Sequence, residues 1–483
     1  MRNKSGCNKL FTRPRPAIST LQFYCLLLCV ICGGLPACSY FSPEYKRPDT
    51  PVKQSWVRHV PEKVSAEQTI RPDWWKNFGD PFLDALINKA IAENLDLKIL
   101  AARTQVARNT ISQVNAARLP SLEGAFGGRF IKAHGSDFQK SYSYALAMSW
   151  EIDVWGQVEK GVQAQAAEVQ ATEADWRAGY LEIVSDVAGI YFQIRLLDEQ
   201  IVQQEQALAT NRQILAILKS MAGEGVIAKS SLLQQSAQVD QFATDLIELQ
   251  RLRELSENGL AEMLGIPAGD FRVPPGNLRN LVHLVDLPLG LPIDLLLRRP
   301  DIIAAEFRVL QAHNLISQAR RGLLPTVSIT GRGGISSIRL TDLSKAFTFG
   351  FDPSIELPFL NPSIYATIDI TEAQIEVVKE QYRRTVIGAF KEVENALVNL
   401  YSHRNQKQVL KERLGKLLEN ADIIRARLDE GVVSQLQVLE TERSLLGAQQ
   451  QLLLNHQEIL LDTIELYKAL GGGWPSLEIR EAG

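Results

Sequence analysis

Two segments of the chain alternate large apolar residues with small or polar ones. From Ser141 to Asp153 the odd positions carry serine, alanine and acidic residues, and the even positions carry Tyr142, Tyr144, Leu146, Met148, Trp150 and Ile152. A period of two predicts a β-strand with one apolar face, long enough to cross a bilayer at a tilt. A soluble sandwich strand alternates in the same way, so the pattern alone leaves both interpretations open. The second segment, at about 346–359, places on one face Phe347, Phe349, Phe351, Ile355 and Leu357.

Glycine-rich segments at about 121–131 and 326–335 predict two weaker strands, each forming a hairpin with the strand that follows it. Proline is absent between Pro120 and Pro267 and again between Pro362 and Pro475. These spans are rich in good helix formers, and they predict four helices, at about 157–220, 230–264, 363–428 and 434–470. The first and third would each measure roughly 95 Å at 1.5 Å per residue. We therefore expect a rod of helices that doubles back at glycine-containing turns.

The chain carries an internal repeat. Four features recur 205 positions later: Asp96, Arg103, Ala107 and Leu119-Pro120 return as Asp301, Arg308, Ala312 and Leu324-Pro325. Two further pairs recur 206 positions later: Gly225-Val226 as Gly431-Val432, and Leu264-Gly265 as Leu470-Gly471. A constant offset predicts two equivalent halves. The predicted organisation is an N-terminal segment, a first repeat, a linker, a second repeat and a tail, at 38–80, 81–270, 271–291, 292–473 and 474–483.

Each half therefore contains a helix, two strands and two long helices, and we expect the first helix at roughly Pro81–Arg118 in one half and Pro292–Gly322 in the other. Four strands are too few for a membrane barrel, which needs about eight, and an open sheet edge in lipid leaves backbone groups unpaired. The chain must pool its strands with copies of itself, and three copies give twelve strands. The sequence thus predicts an internally duplicated α+β membrane protein, in which a trimeric 12-stranded β-barrel continues into a helical barrel.

The N-terminus predicts export and lipid attachment. Residues 1–37 hold five basic and no acidic side chains, with an apolar stretch too short to span a bilayer, as in a secretory signal peptide. Leu35-Pro36-Ala37-Cys38 resembles a bacterial lipobox, so we expect Cys38 to become the N-terminus and carry N-palmitoyl and S-diacylglycerol groups. The alternative is an ordinary signal peptide cleaved near Ala37. Ser39, where aspartate would favour the inner membrane, favours the outer one.

Composition and motifs exclude several other functions. All five cysteines lie at or before residue 38, so the mature chain has no internal disulfide or cysteine-based metal site. Without residues 1–37 the 52 basic residues fall to 47 against 55 acidic ones, a net charge of −8, which argues against nucleic acid as a partner. The six histidines form no metal-binding spacing. Because no nucleophile or paired acid stands out, we expect neither an enzyme nor a cofactor.

Several motifs resemble one family. They are Tyr45-Lys46-Arg47-Pro48, Trp74-Trp75 with Phe78 and Asp80-Pro81, Ser149 to Gly156, Arg298 to Ile302 with Glu306, and Tyr467 to Trp474. The chain resembles the TolC-like outer-membrane efflux proteins, in the lipoprotein branch (NodT/OprM-like) that serves resistance-nodulation-division (RND) pumps. The resemblance implies a homotrimer in the outer membrane with a helical tunnel crossing the periplasm. It also implies a periplasmic adaptor and an inner-membrane RND-type transporter as partners, and drugs, toxic compounds or metal ions as exported molecules.

Two candidate sites follow. The turns Gly225-Val226-Ile227 and Gly431-Val432-Val433 each join two long antiparallel helices, so we expect them to form periplasmic tips that contact the adaptor; the alternative is that their glycines only end helices.

The resemblance also implies acidic rings that narrow the tunnel, at positions matching Gln437 and Glu440. Only Glu440 keeps the charge, and its first-half equivalent is Gln234. The resemblance thus implies a gate of three carboxylates per trimer.

Two rival functions remain open from the sequence. One is a periplasmic coiled-coil scaffold lipoprotein whose strands form a soluble sheet. The other is the outer channel of a type I protein secretion system, built on the same fold. The scarcity of methionine, four residues in all, weakens a copper-export hypothesis. Nothing in the sequence names the exported compounds.

Overall fold

The computed structural model describes residues 40–50, 56–57, 71–132, 134–135, 137–278, 298–339 and 347–474. The predicted signal peptide 1–37 and the lipidation site Cys38 lie outside the described residues. So do most of the linker 271–291, the start of the second repeat at 292, and the tail beyond Trp474.

Seven α-helices and four strands make up the described chain, apart from short 3-10 turns. In chain order they are α1 (Pro81–Glu93), α2 (Leu95–Ala116), β1 (Ser121–Ile131), β2 (Gln139–Ile152), α3 (Gln157–Gly223), α4 (Lys229–Met263), α5 (Pro300–Arg321), β3 (Thr326–Ser337), β4 (Phe347–Glu356), α6 (Pro362–Asp429) and α7 (Gln435–Ala469). None of the helices in the described ranges is both long and apolar enough to cross a membrane.

From α2 and α5 onward the elements repeat in order, and the helices closely match in length. α4 and α7 each contain 35 residues and begin and end 206 positions apart, whereas α3 and α6 contain 67 and 68. The one extra residue in α6 accounts for the change of offset from 205 to 206. The internal duplication and the α+β class predicted from the sequence are confirmed.

The chain divides into two compact units. Among the described residues, one unit contains the sheet and takes in those within 40–46, 117–161 and 313–372. Its four strands pair antiparallel in the order β1-β2-β3-β4, so β1 and β4 are the edges. The hairpins predicted within each half are present, and β2 pairs with β3 to join the halves.

The strand register sorts the side chains by face. Tyr144 pairs with Phe126 on one side and with Ile335 on the other, and Ile335 pairs with Phe347. Because alternate residues share a face, the even positions of β1 and β2 and the odd positions of β3 and β4 form one face. We call this the apolar face; its side chains include Leu122, Phe126, Phe130, Leu146, Trp150, Ile329, Phe349, Phe351 and Ile355. The opposite, polar face carries serine, threonine and charged residues.

The other unit consists mostly of helices and takes in the described residues within 47–116, 162–312 and 373–474. Its core contains the aromatic residues near the start of α1: the rings of Trp74 and Tyr467 stack at 4.7 Å, and Phe78 meets Phe192 edge-on at 5.0 Å. Further along the α3–α4 pair a second apolar cluster lies among Leu208, Leu215, Val239 and Phe242.

Two predicted elements differ from the structure. The single helix expected from Pro81 to Arg118 is broken at Asn94, whose backbone is extended (ψ 132°). Its side chain accepts a bond from the Leu97 amide and donates to the Met263 carbonyl, at 3.1 and 3.0 Å. The strand expected to reach residue 359 ends at Glu356, because Pro358 begins a 3-10 turn and has no amide proton for the sheet.

Candidate channel surface, tips and gate

The two predicted tips have the same hydrogen-bonded geometry. The Gly225 amide donates to Ala222 and the Val226 amide to Met221, at 3.1 and 2.9 Å. This pair of bonds is a Schellman motif, in which the glycine adopts a left-handed conformation that ends the helix.

The second tip reproduces the first. Gly431 donates to Leu428 and Val432 to Arg427, each at 2.9 Å. The φ angles of Gly225 and Gly431 are 74° and 72°.

The residues after each glycine differ in exposure in the same way at both tips. Val226 and Val432 are 63% and 68% exposed, whereas Ile227 and Val433 are half-buried. The glycines therefore do end helices, as the alternative hypothesis held. An exposed valine at each turn also presents an apolar surface, so the helix-ending role does not exclude a docking role.

Gln437 and Glu440, the two positions that the resemblance assigns to the gate, lie in the first turns of α7. The amide of Gln437 donates to the hydroxyl of Ser434, the N-cap of the helix. Gln437 and Glu440 are both exposed. A helix N-terminus favours nearby negative charge, so this position suits a carboxylate.

Glu440 borders a groove of about 330 Å³ lined by α3, α4, α6 and α7. Its lining is mainly amide and charged side chains and includes Gln203, Asn211, Gln234, Gln238, Arg425, Glu442 and Arg443. The groove thus brings together Glu440 and its first-half equivalent Gln234. Arg425 approaches Glu442 at 3.6 Å across the α6–α7 pair.

A buried ionic network was missed by the sequence analysis. Arg253 bonds Asp198 at 2.6 Å and Glu257 at 2.9 Å, and Arg195 bonds Asp198 at 3.0 Å. Burial works against the charge of Arg253, but its bonds to the two carboxylates outweigh this and raise its pKa. The signal in the sequence was the charged pair Arg195 and Asp198 within an apolar run. The network also binds the loop after α4, where Arg253 donates to the Val273 carbonyl.

The apolar face of the sheet is a third candidate surface. Phe347 and Phe349 are about 70% exposed, and Leu122 and Ile355 are equally so. Exposed aromatic rings in contiguous rows are unusual on a protein surface facing water. Exposing these rings to water is energetically unfavourable. A hydrocarbon environment removes that cost, since burying one large apolar side chain contributes about 2 kcal/mol.

The described residues hold no cluster of three or more histidine, cysteine, aspartate or glutamate side chains that could bind a metal. One contact between two such side chains joins His403 Nδ1 and Asp462 Oδ2, which lie 2.7 Å apart. Burial raises the pKa of Asp462, and its bond with His403 opposes that shift.

The duplicated architecture and the four-stranded sheet are matched by a family model described as "Outer membrane efflux protein". The model matches twice, at residues 86–266 and 291–472. The chain belongs to the outer membrane efflux protein family. The two matches correspond to the two repeats, and they confirm the family expected from the sequence.

Curated members of the family align over nearly their whole length. The chain is 31% identical over 452 residues to the cation efflux system protein CusC of Escherichia coli O6:H1, covering 91% of this chain and 97% of CusC. It is 29% identical over 457 residues to the solvent efflux pump outer membrane protein SrpC of Pseudomonas putida, covering 91% and 96%.

Solved structures agree with these matches. Crystal structures of CusC superpose with a TM-score of 0.77 at 29% identity, covering 89% of this chain and 99% of that chain. The open-state MtrE outer membrane channel of Neisseria gonorrhoeae superposes with a TM-score of 0.78 at 26% identity, covering 89% and 98%. The protein is accordingly an outer-membrane efflux family member with the TolC-like channel fold, and the relatives that it matches are efflux proteins rather than enzymes.

Proposed function

We propose that the protein is the passive exit duct of a tripartite efflux pump and acts as a homotrimer. The observation that carries this proposal is the four-stranded sheet with an exposed apolar face and two edge strands, β1 and β4. In hydrocarbon each unpaired backbone group costs several kcal/mol. Joining the β1 edge of one copy to the β4 edge of the next removes both edges at once.

Three copies fit the geometry better than two. Twelve strands enclose a lumen, whereas eight strands give a barrel whose interior is filled by its own side chains. The polar face, with Arg129, Glu151, Arg332 and Asp352 among its residues, would then line a water-filled pore. The apolar face would contact lipid.

The tips support docking to a periplasmic adaptor. Val226 and Val432 are exposed at two turns of the same geometry, so one adaptor could bind both turns in similar ways. An inner-membrane RND-type transporter would supply the energy, as the resemblance to the lipoprotein channels that serve RND pumps implies.

The exported compounds belong to the small-molecule and ion classes. CusC is named for cation efflux and SrpC for solvent efflux, so the shared architecture accommodates both. Acylation of Cys38 with N-palmitoyl and S-diacylglycerol groups would add an anchor in outer-membrane lipid. A relative, SilC of Salmonella typhimurium, is described as a probable outer membrane lipoprotein.

Engineered disulfides between the edge strands test the trimer. Ala125→Cys on β1 would be combined in turn with Thr348→Cys, Gly350→Cys or Ser354→Cys on β4. If copies join edge to edge, oxidation of at least one combination yields covalent dimers and trimers on denaturing gels. The matched control is Ala147→Cys with Arg332→Cys, which pair within one chain and should form a disulfide without a change in mass.

Monomers in every edge combination, with normal oxidation of the control, would contradict the edge-to-edge trimer and favour the scaffold hypothesis. Drug and metal susceptibility of a deletion strain then tests the transport role. Restored resistance on complementation supports small-molecule efflux. Loss of a secreted protein with unchanged susceptibility would favour the protein-secretion alternative.

A further inference from the structure

The apolar face carries one charged side chain within the four described strands. Lys140 occupies an even position of β2, near the loop end of the sheet, where β1 turns into β2 and β3 into β4. At the other positions of this face, all four strands carry uncharged residues. A lysine that faces lipid is unfavourable at the bilayer centre and costs little at the interface. The level of Lys140 along the strand therefore decides what it contacts.

Lys140 lies at the edge of the apolar band of the sheet. It precedes Ile152, the last residue of β2, by 12 residues. At about 3.3 Å per residue and a strand tilt of about 40°, this distance corresponds to roughly 30 Å along the axis of a barrel. The apolar band of such barrels is about 25 Å tall. With Ile152 at one boundary of the band, Lys140 lies at the other, among the lipid headgroups.

Three aromatic rings on the same face surround Lys140. Phe130 is its paired neighbour on β1. The ring of Phe130 meets Tyr142 edge-on at 5.8 Å and stacks on Phe138 at 6.4 Å. The Nζ atom of Lys140 lies 5.6 Å from the centre of the Phe138 ring. Because a cation is attracted to the face of an aromatic ring, this contact holds the ammonium group at the edge of the apolar band.

A second cation falls beside Lys140 on the neighbouring strand. The register pairs Tyr142 with Ser337, and one further step toward the loop end brings Lys140 opposite residue 339, an arginine. Arg339 is exposed, and its backbone amide donates to the Ser337 hydroxyl at 3.2 Å. Neighbouring strands are about 4.8 Å apart, so the two cations can reach one ligand.

Lys132 adds a third cation, one step further from the hydrocarbon. It follows Phe130 by two residues and so keeps the parity of the apolar face. Asp137, in the same loop, has the odd parity of the polar face. We call Lys132, Lys140 and Arg339 the basic rim. The rim carries three positive charges next to a group of aromatic rings.

The basic rim fits a phosphorylated lipid headgroup. Ammonium and guanidinium groups bind phosphate oxygens through charge-assisted hydrogen bonds. In the proposed channel the strand ends that lead into α3 and α6 face the periplasm, so the loop end lies at the outer leaflet. That leaflet consists of lipopolysaccharide, whose lipid A headgroup carries phosphate groups directly above its acyl chains. Phe130 and Phe138, 55% and 53% exposed, lie where those acyl chains begin.

We propose that the basic rim binds the phosphate groups of lipid A, with one site on each copy of the chain. This inference rests on the proposed channel function, since it takes the apolar face to contact lipid and the loop end to face outward. Lys140 and Arg339 bind the phosphate, and Phe138 keeps the ammonium group of Lys140 at the level of the headgroup.

Native mass spectrometry of the detergent-solubilised, full-length trimer tests the site. The protein is titrated with lipid A that carries two phosphates, and the number of lipid molecules retained per trimer gives the affinity. The test variant is Lys140→Gln with Arg339→Gln, which removes two charges from exposed positions. The matched control is Arg129→Gln with Arg332→Gln, which removes two charges from the polar face. Arg129 pairs with Ser141 and is therefore one residue from the level of Lys140.

We expect the parent and control trimers to bind lipid A equally. The trimer with Lys140→Gln and Arg339→Gln should bind it roughly tenfold more weakly or less, because charge-assisted bonds to phosphate are lost. Lipid A without phosphates should bind the parent as weakly as lipid A binds the variant. Unchanged affinity in the variant would overturn the inference, and so would tight binding of the dephosphorylated lipid.

Two further ligands identify the source of the phosphate. Phosphatidylglycerol, an anionic phospholipid, should bind the parent more weakly than lipid A, and inorganic phosphate should not displace bound lipid A. Phosphatidylglycerol that binds equally well would indicate a general site for anionic lipids. Displacement by inorganic phosphate would indicate a site for the free ion. Either result would overturn the assignment to lipid A.

The same spectra separate this inference from the proposed channel, because they report the mass of the assembly. A parent protein that is monomeric would contradict the proposed trimer. A parent trimer that retains no lipid A would contradict the basic rim and leave the channel intact.

Discussion

Gly225 and Gly431 adopt the same left-handed conformation 206 residues apart, with φ angles of 74° and 72°. A Cβ added at either position would meet no heavy atom within 4 Å beyond the neighbouring residues. Steric crowding therefore does not explain glycine at these turns. The left-handed backbone does, because an L-residue with a Cβ costs roughly 1 kcal/mol there.

Charge at the tips should uncouple the channel from its adaptor. In Val226→Asp with Val432→Asp we expect trimers to form normally, since both side chains are exposed. Burying an unpaired carboxylate in a contact costs about 2 kcal/mol or more, so adaptor affinity should fall roughly 30-fold or further. Pull-down of the adaptor and drug accumulation in cells measure the effect.

The control for the tip variants is Ile247→Asp, a substitution at a residue 66% exposed on α4. It should leave both adaptor binding and accumulation unchanged. Normal efflux by the double tip variant would show that the turns only end helices.

Substitution by alanine should destabilise two classes of positive-φ glycine to different extents. Gly265 and Gly471 also have positive φ, but a Cβ there would lie 2.8 Å from the Glu93 carbonyl oxygen and 2.9 Å from that of Arg298. We expect Gly265→Ala and Gly471→Ala to cost roughly 2–4 kcal/mol, against about 1 kcal/mol for Gly225→Ala. Thermal unfolding in detergent, followed by circular dichroism, measures the difference. Equal losses in both classes would contradict the close-contact argument.

What the sequence predicted well is governed by local interactions. The turn at Gly431 is set by bonds to residues three and five positions earlier, so a glycine after a long helical pattern was sufficient to predict it. The alternation in β2 likewise marks its two faces without knowledge of its partners. The repeat then transferred both predictions to the other half.

What the sequence did not predict depends on distant partners. The break at Asn94 is stabilised by a bond to Met263, 169 positions away. The Arg253 network joins α3, α4 and the loop near Val273. No periodicity within a short window carries that information. The hydrogen bond from Trp155 to the Pro325 carbonyl spans 170 positions. It could not be predicted from the sequence for the same reason.

Cys38→Ser should separate anchoring from insertion. We expect the variant to lose incorporation of labelled palmitate, because the acylated thiol is gone. It should still insert as a trimer, since the apolar face buries far more surface than the acyl chains. Metabolic labelling and heat-modifiable gel mobility measure the two outcomes. Palmitate still entering the variant would rule out Cys38 as the acylation site.

Alkaline pH should destabilise the helical unit through Tyr180. This side chain is 4% exposed, and burial raises its pKa to about 12. A raised folded-state pKa contributes stability that is complete below the unfolded value near 10 and is lost as the pH rises through about 12. The loss can reach ~3 kcal/mol, at 1.36 kcal/mol per pKa unit.

Tyr180→Phe should therefore flatten the fall in melting temperature between pH 10 and 12. Tyr401→Phe, at a side chain 56% exposed, serves as the control and should leave that fall in place. An unchanged alkaline profile in Tyr180→Phe would assign the loss to other groups.

The gate hypothesis predicts a role for one carboxylate per chain. Three copies of Glu440 around a narrow pore would repel one another, favour cations and bind a divalent ion that blocks the channel. Gln234 and Gln437 would contribute no charge. The control is Glu458, an exposed glutamate that lies 18 residues further along α7. Because 18 residues make five turns, it shares the helix face of Glu440 but lies about 27 Å from it.

In planar bilayers Glu440→Ala should reduce cation selectivity and weaken block by divalent ions, since both depend on charge at the narrowest point. Glu458→Ala should leave the block unchanged if the pore is wider at its level, and Gln437→Ala should leave the selectivity unchanged. Equal effects of Glu440→Ala and Glu458→Ala would place the constriction elsewhere. Unaltered selectivity and block in Glu440→Ala would mean that Glu440 faces outward, in the groove that it shares with Arg443, and not the pore.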